Sequence, residues 1–345
     1  MSTSDLDAKT VGVTRSGTVS FRALVLQQSD KTVTASVESL DESLLPDGDV
    51  TVRIEHSGVN YKDGLIVRGL ARLVRTYPHV PGIDLAGVVE ASTSERFAVG
   101  DRVVSTGWRV GEMWWGGFAE RAKLRSEWLV KVPDTLSTRD AMVIGTAGLT
   151  SMMAIDAIEA HDARPGDGVV LVTGATGGVG SIAVHLLAKL GYEVAASTGK
   201  PDNADALKQL GATSVIDRNE LAGAPDKPLL PERWAACIDA VGGPTLAHVL
   251  AELRYGGSLA ACGNTAGVEF PGNVIPFLLR STNVLGIESV NYPTEQRVGV
   301  WQRIADIADM SLLSAQTREI GLADLPAAAD EILAGKVAGR IVVTP

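Results

Sequence analysis

A chain of 345 residues, 45% hydrophobic and 21% charged, is long enough for about two globular domains with separate cores. Its 41 acidic and 31 basic residues leave a formal net charge of −10, so nucleic acid is not an expected partner and any anion must be gripped locally. The two cysteines, Cys237 and Cys262, cannot form a disulfide framework and point to a reducing cytoplasm, and no apolar run approaches the ~18 residues of a membrane span.

Residues 1–20 carry no apolar segment and read as a flexible polar extension. From Phe21 the chain breaks into short strands bounded by Gly, Pro or Asp: FRALVLQQ, DVTVRIEHSGVN after a turn at LPDGDV, GIDLAGVVEAS, DRVVSTG, GGFAERAKL and WLVKVP. Their alternation suits a small β-rich barrel. Past Leu136 come two helical stretches, STRDAMVIG and GLTSMMAIDAIEAHDA. Strands and helices then alternate, as in a doubly wound parallel sheet: VVLV, a helix over residues 178–190, a strand over 192–198, NADALKQLG, TSVIDR, AACIDAV, PTLAHVLAEL, GGSLAACG and NVLGIES. A helix near LPAAADEILAG and the strand GRIVVTP close the chain. That last strand is expected to rejoin the β-rich part, giving a discontinuous domain of residues 21–142 and 309–345 around a second domain of 143–308.

The strand, glycine turn and helix of VVLVTGATGGVGSIAVHLLAKLGYEV form the strongest motif. Gly174, Gly177 and Gly180 allow a tight turn, backbone approach to a pyrophosphate and close packing of helix on strand, and the helix N-terminus faces the anion. Thr176, Gly177, Gly178 and Val179 are therefore the expected dinucleotide contacts. NAD-preferring sites carry an Asp or Glu at the end of the second strand; here stand Ser197, Thr198, Gly199 and Lys200. Two hydroxyls and an ammonium in place of the acid predict NADPH. Arg218, ending the third strand, adds a second cation unless it pairs with Glu220, just as Lys200 has the alternative of a solvated loop lysine.

The domain order resembles the medium-chain dehydrogenase/reductase superfamily over residues 21–345, which implies a GroES-like barrel and a Rossmann domain. Zinc-dependent members carry a Cys ligand and a Gly-His-Glu motif where this chain has Val59-Asn60-Tyr61-Lys62-Asp63 and Gly82-Ile83-Asp84. Two cysteines and five scattered histidines offer no tetrahedral N/S site, so no metal is expected. Zinc-free members reduce conjugated carbon-carbon double bonds or quinones. NYKDGL, FAVGDRV, STGWRVGEMWWGGFAE, MVIGTAGLTSM and TGATGGVG are similar to the NADPH-dependent acrylyl-CoA reductases of the quinone-oxidoreductase-like branch. The resemblance implies a short 2-enoyl-CoA substrate and a homodimer joined through the edge strand NVLGIES. Two rivals stand beside this reading, a quinone or enone reductase and a non-catalytic NADPH-binding protein.

Reduction of a conjugated thioester needs hydride at the β carbon and a proton at the α carbon. Tyr61, following Asn60 at the place of the zinc ligand, is expected either to donate that proton or to hold the nicotinamide while water donates. Asn60 is grouped with it, and Asp63 is read as shaping the turn. Gly263, Ile287 and Ser289 are expected to face the nicotinamide from the Rossmann side. Thr146 and Thr150 either add hydroxyl contacts from across the cleft or cap a helix. Arg68, Arg72 and Arg75, at spacings of four and three, would share a helical face and either grip coenzyme A phosphates or remain solvated. Trp108, with Trp114 and Trp115, either walls the substrate cleft or packs between domains.

Overall fold

The computed structural model describes residues 19–30, 32–70 and 72–345; the flexible extension read at the N-terminus lies outside them, apart from its last two residues. β1 (Ser20–Ser29) buries Phe21 and the run of residues 23–26, and β2 (Thr32–Asp41) pairs with it antiparallel throughout. Then follow β3 (Val50–Val59), α1 (Tyr61–Val67), β4 (Asp84–Ser92), β5 (Arg102–Thr106), β6 (Arg121–Leu124) and β7 (Val130–Lys131). Along β3, Val50, Val52 and Ile54 point into the barrel core with Leu85, Val89 and Val103.

α2 (Thr138–Ala160) starts at a capping box between Ser137 and Asp140 and breaks at Gly145, where φ is 51°. The two helical stretches expected there are present, joined end to end through the non-helical Gly145. By length and composition α2 passes for a membrane span, contrary to the sequence reading, but 83% of its most apolar stretch is buried inside the fold. Leu149, Met152 and Ile155 pack with Ile182, Leu186, Trp301 and Ile304 in a core that also takes in Val104 and Val342. Each such buried side chain contributes about 1.5–3 kcal/mol, so α2 is the spine that unites the two halves.

β8 (Val169–Val172), α3 (Gly178–Lys189), β9 (Glu193–Thr198), α4 (Ala204–Gln209), β10 (Ser214–Asp217), β11 (Trp234–Asp239), α5 (Gly243–Glu252), β12 (Leu253–Ala261), α6 (Ile275–Arg280) and β13 (Asn283–Gly286) complete the second domain. Its six strands are parallel in the order β10-β9-β8-β11-β12-β13. This is the Rossmann order, and its crevice opens where β8 meets β11. β13 stops at Gly286, three residues short of the expected strand NVLGIES, and Ile287 and Ser289 lie in the loop that follows, as expected of them. α7 (Thr294–Ile307), α8 (Met310–Ala315), β14 (Thr317–Gly321), α9 (Leu325–Leu333) and β15 (Arg340–Thr344) follow. β15 pairs with both β14 and β3, which returns the chain to the first domain's sheet, ordered β14-β15-β3-β4-β5-β7 with β6 on β3.

Candidate active site

The nucleotide end of the cleft is built by the turn between β8 and α3. A Cβ on Gly180 would sit 2.4 Å from the Gly174 carbonyl oxygen, so only glycine lets the helix press against the strand. No side chain caps α3, which leaves the amides of its first turn without an intrahelical acceptor and free for an anion. Thr176 Oγ1 and Thr198 Oγ1 lie 3.0 Å apart across the turn, and the Lys200 amide donates to Thr198 Oγ1. The buried Ser197 accepts from the Ala175 amide through its carbonyl. No acid ends β9. The Arg218 guanidinium lies over Gly199, its Nε 2.4 Å from where a Cβ would stand. Arg218 makes no ion pair among the described residues, because Glu220 pairs with Arg233 instead. The Lys200 ammonium donates to the Val337 carbonyl, and burial lowers its pKa. Two cations beside Gly199, with no acid at the end of β9, fit a nucleotide carrying a 2'-phosphate.

Sequence reasoning missed Thr173 and Asp239 at the switch point. Thr173 Oγ1 donates to the buried Asp239 carboxylate, which also accepts from the amides of Val241 (3.3 Å) and Gly242 (2.9 Å). That acid therefore shapes the loop beside Gly263, whose backbone runs so close to Ala240 that a Cβ would lie 2.2 Å from its oxygen.

Below the cleft lies a buried polar cluster drawn from both ends of the chain. Asp84, fully buried on β4, accepts from Asn60 Nδ2 at 2.9 Å, from the Thr146 amide at 2.8 Å and from Thr146 Oγ1. Arg340 of β15 lies 3.7 Å from the Asp84 carboxylate and donates to the carbonyls of Val143 and Val59 and to Asn60 Oδ1. Its Nη1 is also 3.0 Å from where a Cβ on Gly178 would stand, so the same side chain abuts the nucleotide turn. Asn60 and Asp84, far apart in the sequence, are thus bonded to each other. Asp63 anchors the next layer, accepting from the amides of Asn60 (2.8 Å) and Ile83 (2.9 Å). Burial, helped by the charge of Asp84, pushes its carboxyl up to about 7.

This geometry sorts the other expected residues. Tyr61 opens α1 with 40% of its surface exposed and no hydrogen-bond partner among the described residues. Asn60 has both ends of its amide engaged below the cleft, so it holds the start of α1. The Thr146 hydroxyl is turned to Asp84 rather than across the cleft. Thr150 lies in mid-helix, its Oγ1 2.7 Å from the Thr146 carbonyl and 3.1 Å from Ser289 Oγ. It joins α2 to the loop carrying Ile287, whose amide donates to Ala261 O, and caps nothing. Val179 O accepts from Ser151. The expected helical face of Arg68, Arg72 and Arg75 does not form, because α1 ends at Val67. Arg68 points away to Asp330 and the Pro326 carbonyl of α9, whereas Arg72 and Arg75 are exposed and make no ion pair among the described residues. Trp108 packs beneath Arg297 with its indole N–H buried and without an acceptor. Trp114 instead meets Trp128 edge-on at 5.0 Å, under Arg125. Lys62 pairs with the buried Glu112 at 2.8 Å and fastens the tryptophan loop to α1.

Profiles of two families match the chain, the alcohol dehydrogenase GroES-like domain at residues 46–134 and the zinc-binding dehydrogenase at 178–306. An acrylyl-CoA reductase of Ruegeria pomeroyi is 52% identical over 94% of this chain and 98% of its own length. The yhdH oxidoreductase of Salmonella enterica, solved with NADP, is 47% identical and superimposes with a TM-score of 0.92 over 94% of this chain and 99% of that one. The Bacillus subtilis protein yhfP, solved with NAD, is 41% identical with a TM-score of 0.92 over 95% and 100% of the two chains. By descent and by fold, the chain belongs to the medium-chain dehydrogenase/reductase superfamily, in the branch that these oxidoreductases share.

Proposed function

We propose that this protein is an NADPH-dependent reductase of short 2-enoyl-CoA thioesters, acting foremost on acrylyl-CoA to give propanoyl-CoA. The observation that carries this reading is the 52% identity with an acrylyl-CoA reductase along nearly the whole of both chains. The acid-free end of β9, with Lys200 and Arg218 around Gly199, supports NADPH over NADH.

When bound, NADPH supplies the hydride that adds to the β carbon. The backbone of Thr176, Gly177, Gly178 and Val179 holds the pyrophosphate at the uncapped start of α3, while Lys200 and Arg218 pair with the 2'-phosphate beside Ser197 and Thr198. Gly263, Ile287, Ser289 and Thr150 line the nicotinamide end. Addition of hydride leaves an enolate whose α carbon takes a proton, and the unpartnered Tyr61 hydroxyl is the donor assigned to it. Asn60, Thr146, Asp84 and Arg340 keep the start of α1 fixed while this occurs. Lys62 and Glu112 hold the tryptophan loop closed on the same side.

A second copy of the chain is the assigned partner. β13 is the edge of the parallel sheet, and α6 beside it exposes Phe277, Leu278 and Leu279, a patch suited to an isologous interface. Sedimentation at micromolar concentration reads the state directly, and a monomer there contradicts it. The cytoplasm is the assigned compartment, consistent with two unpaired cysteines whose thiols burial pushes up, Cys262 to about 12. Export of the full-length protein in a cell fractionation contradicts that assignment.

Steady-state NADPH oxidation with acrylyl-CoA, crotonyl-CoA and a benzoquinone tests the activity. The reading expects kcat/KM for acrylyl-CoA to exceed that for the quinone by about 100-fold or more. A quinone preferred over both thioesters makes the chain a quinone reductase, the role suggested by the putative quinone oxidoreductase of Bacillus subtilis at 43% identity.

A further inference from the structure

Arg297 of α7 is 1% exposed, yet its guanidinium donates to no carboxylate among the described residues. Its guanidinium is surrounded by carbonyl groups. Nε donates to Tyr292 O at 2.7 Å, Nη1 to Thr106 O at 2.6 Å, and Nη2 to Ser289 O at 2.7 Å and Val290 O at 3.1 Å. The flat of the cation sits 5.1 Å from the centre of the Trp108 ring. Burying a charge without an acid costs several kcal/mol and is tolerated only where dipoles converge as they do here; desolvation still brings its pKa down to about 10.

The acceptors lie on both sides of the cleft. Thr106 ends β5 of the barrel domain, whereas Ser289, Val290 and Tyr292 belong to the loop after β13 of the Rossmann sheet. The Trp108 amide adds a direct bond to Val290 O at 2.8 Å, and a Cβ on Gly107 would lie 2.9 Å from Arg297 Nη2, so the strand end and the loop touch through backbone. Glu288 fixes the loop from within by accepting from the amides of Val290 (2.7 Å) and Asn291 (3.0 Å). Ser289 is at the same time bonded to Thr150, and the Ile287 amide to β12.

We propose that Arg297 is a positioning residue for hydride transfer: it ties the 287–292 loop to the end of β5, and so sets the spacing between the nicotinamide side of the cleft and the barrel segment that carries Trp108. It touches neither substrate nor cofactor and acts through the loop and the indole. Lysine is a poor substitute, since one ammonium cannot serve carbonyls spread around a planar fork. The proposal rests on the reductase reading for its kinetic part only.

The test compares wild type with Arg297→Lys and Arg297→Met by NADPH fluorescence titration, turnover of acrylyl-CoA with protiated and 4-deuterated NADPH, and amide hydrogen exchange. The expected result for Arg297→Lys is an NADPH Kd within about threefold of wild type and a kcat lower by on the order of 10²-fold, with a larger isotope effect. Exchange at the Trp108 amide should quicken about tenfold while the amides of β8 and β11 are unchanged. Wild-type kcat and wild-type exchange at Trp108 overturn the proposal. So does loss of the folded state in both variants, or NADPH affinity falling in step with kcat, since either assigns Arg297 to the fold alone. A wild-type chain inactive on acrylyl-CoA counts against the reductase reading, while exchange at Trp108 still decides the clasp.

Discussion

Asp84 and Arg340, one fully buried on β4 and the other 5% exposed on β15, face each other at 3.7 Å beneath the cleft. The pair ties together three things that must move as one: the start of α1 through Asn60, the kink of α2 through Thr146 and Val143, and the nucleotide turn through Gly178. At Gly145, where φ is 51°, a Cβ would stand 2.5 Å from the Asp84 carboxylate, so the kink and the acid share one space. A charge at this depth is stable only with its partner present.

Replacing Arg340 by Met leaves Asp84 buried without its cation. Unfolding by urea should show a loss of about 3–5 kcal/mol, and a change within experimental error would mean that the hydrogen bonds from Asn60 and Thr146 suffice.

Cofactor choice is expected to reside in Lys200 and Arg218. Lys200→Ala should lower kcat/KM for NADPH by about 10- to 100-fold and leave that for NADH unaltered, the effect of one charge-assisted contact to a phosphate. Equal losses with both nucleotides would place Lys200 in the closure of the Val337 loop rather than in recognition.

Tyr61→Phe separates the two roles open to the phenol. As proton donor, its loss should reduce kcat by roughly 10²- to 10⁴-fold with little change in NADPH affinity. A weaker NADPH Kd with kcat preserved would make Tyr61 a binding residue and water the donor.

Much of this site is legible in the chain because local backbone demands dictate it. Gly180 must be glycine for α3 to meet β8, and the absence of an acid from residues 197–200 is visible without coordinates. What is not legible is long-range pairing. Arg340 meets Asn60 across 280 residues and Arg68 meets Asp330 across 262, so neither partner leaves a local pattern. Arg68 consequently reads as part of a basic face when its partners, Asp330 and the Pro326 carbonyl, lie on α9. β2 is missed because TVTASVES carries few large apolar residues, and its register comes from β1. Arg297 does leave a trace: it stands in a helical stripe with Val300, Trp301 and Ile304, an unusual place for a cation.

Asp63 makes stability depend on pH. Its carboxyl, pushed up to about 7, keeps in the folded state a proton that the unfolded chain releases above about 4. The folded state therefore binds more protons across that window, and this group's contribution is complete below it and lost as pH rises through about 7. Urea unfolding should show lower stability near pH 8 than near pH 5, and Asp63→Asn, which cannot ionise, should reduce the difference. The same pH dependence in both proteins would contradict the assignment.

The central claim is that hydride passes to the β carbon of a short enoyl thioester while the α carbon is protonated. Acrylyl-CoA reduced by this protein in ordinary water, with NADPH carrying deuterium at both C4 positions, tests it directly, with NMR and mass analysis of the product. The account predicts propanoyl-CoA carrying one deuterium, all of it on the β carbon; deuterium on the α carbon, or unreacted acrylyl-CoA while a quinone is consumed, would contradict it.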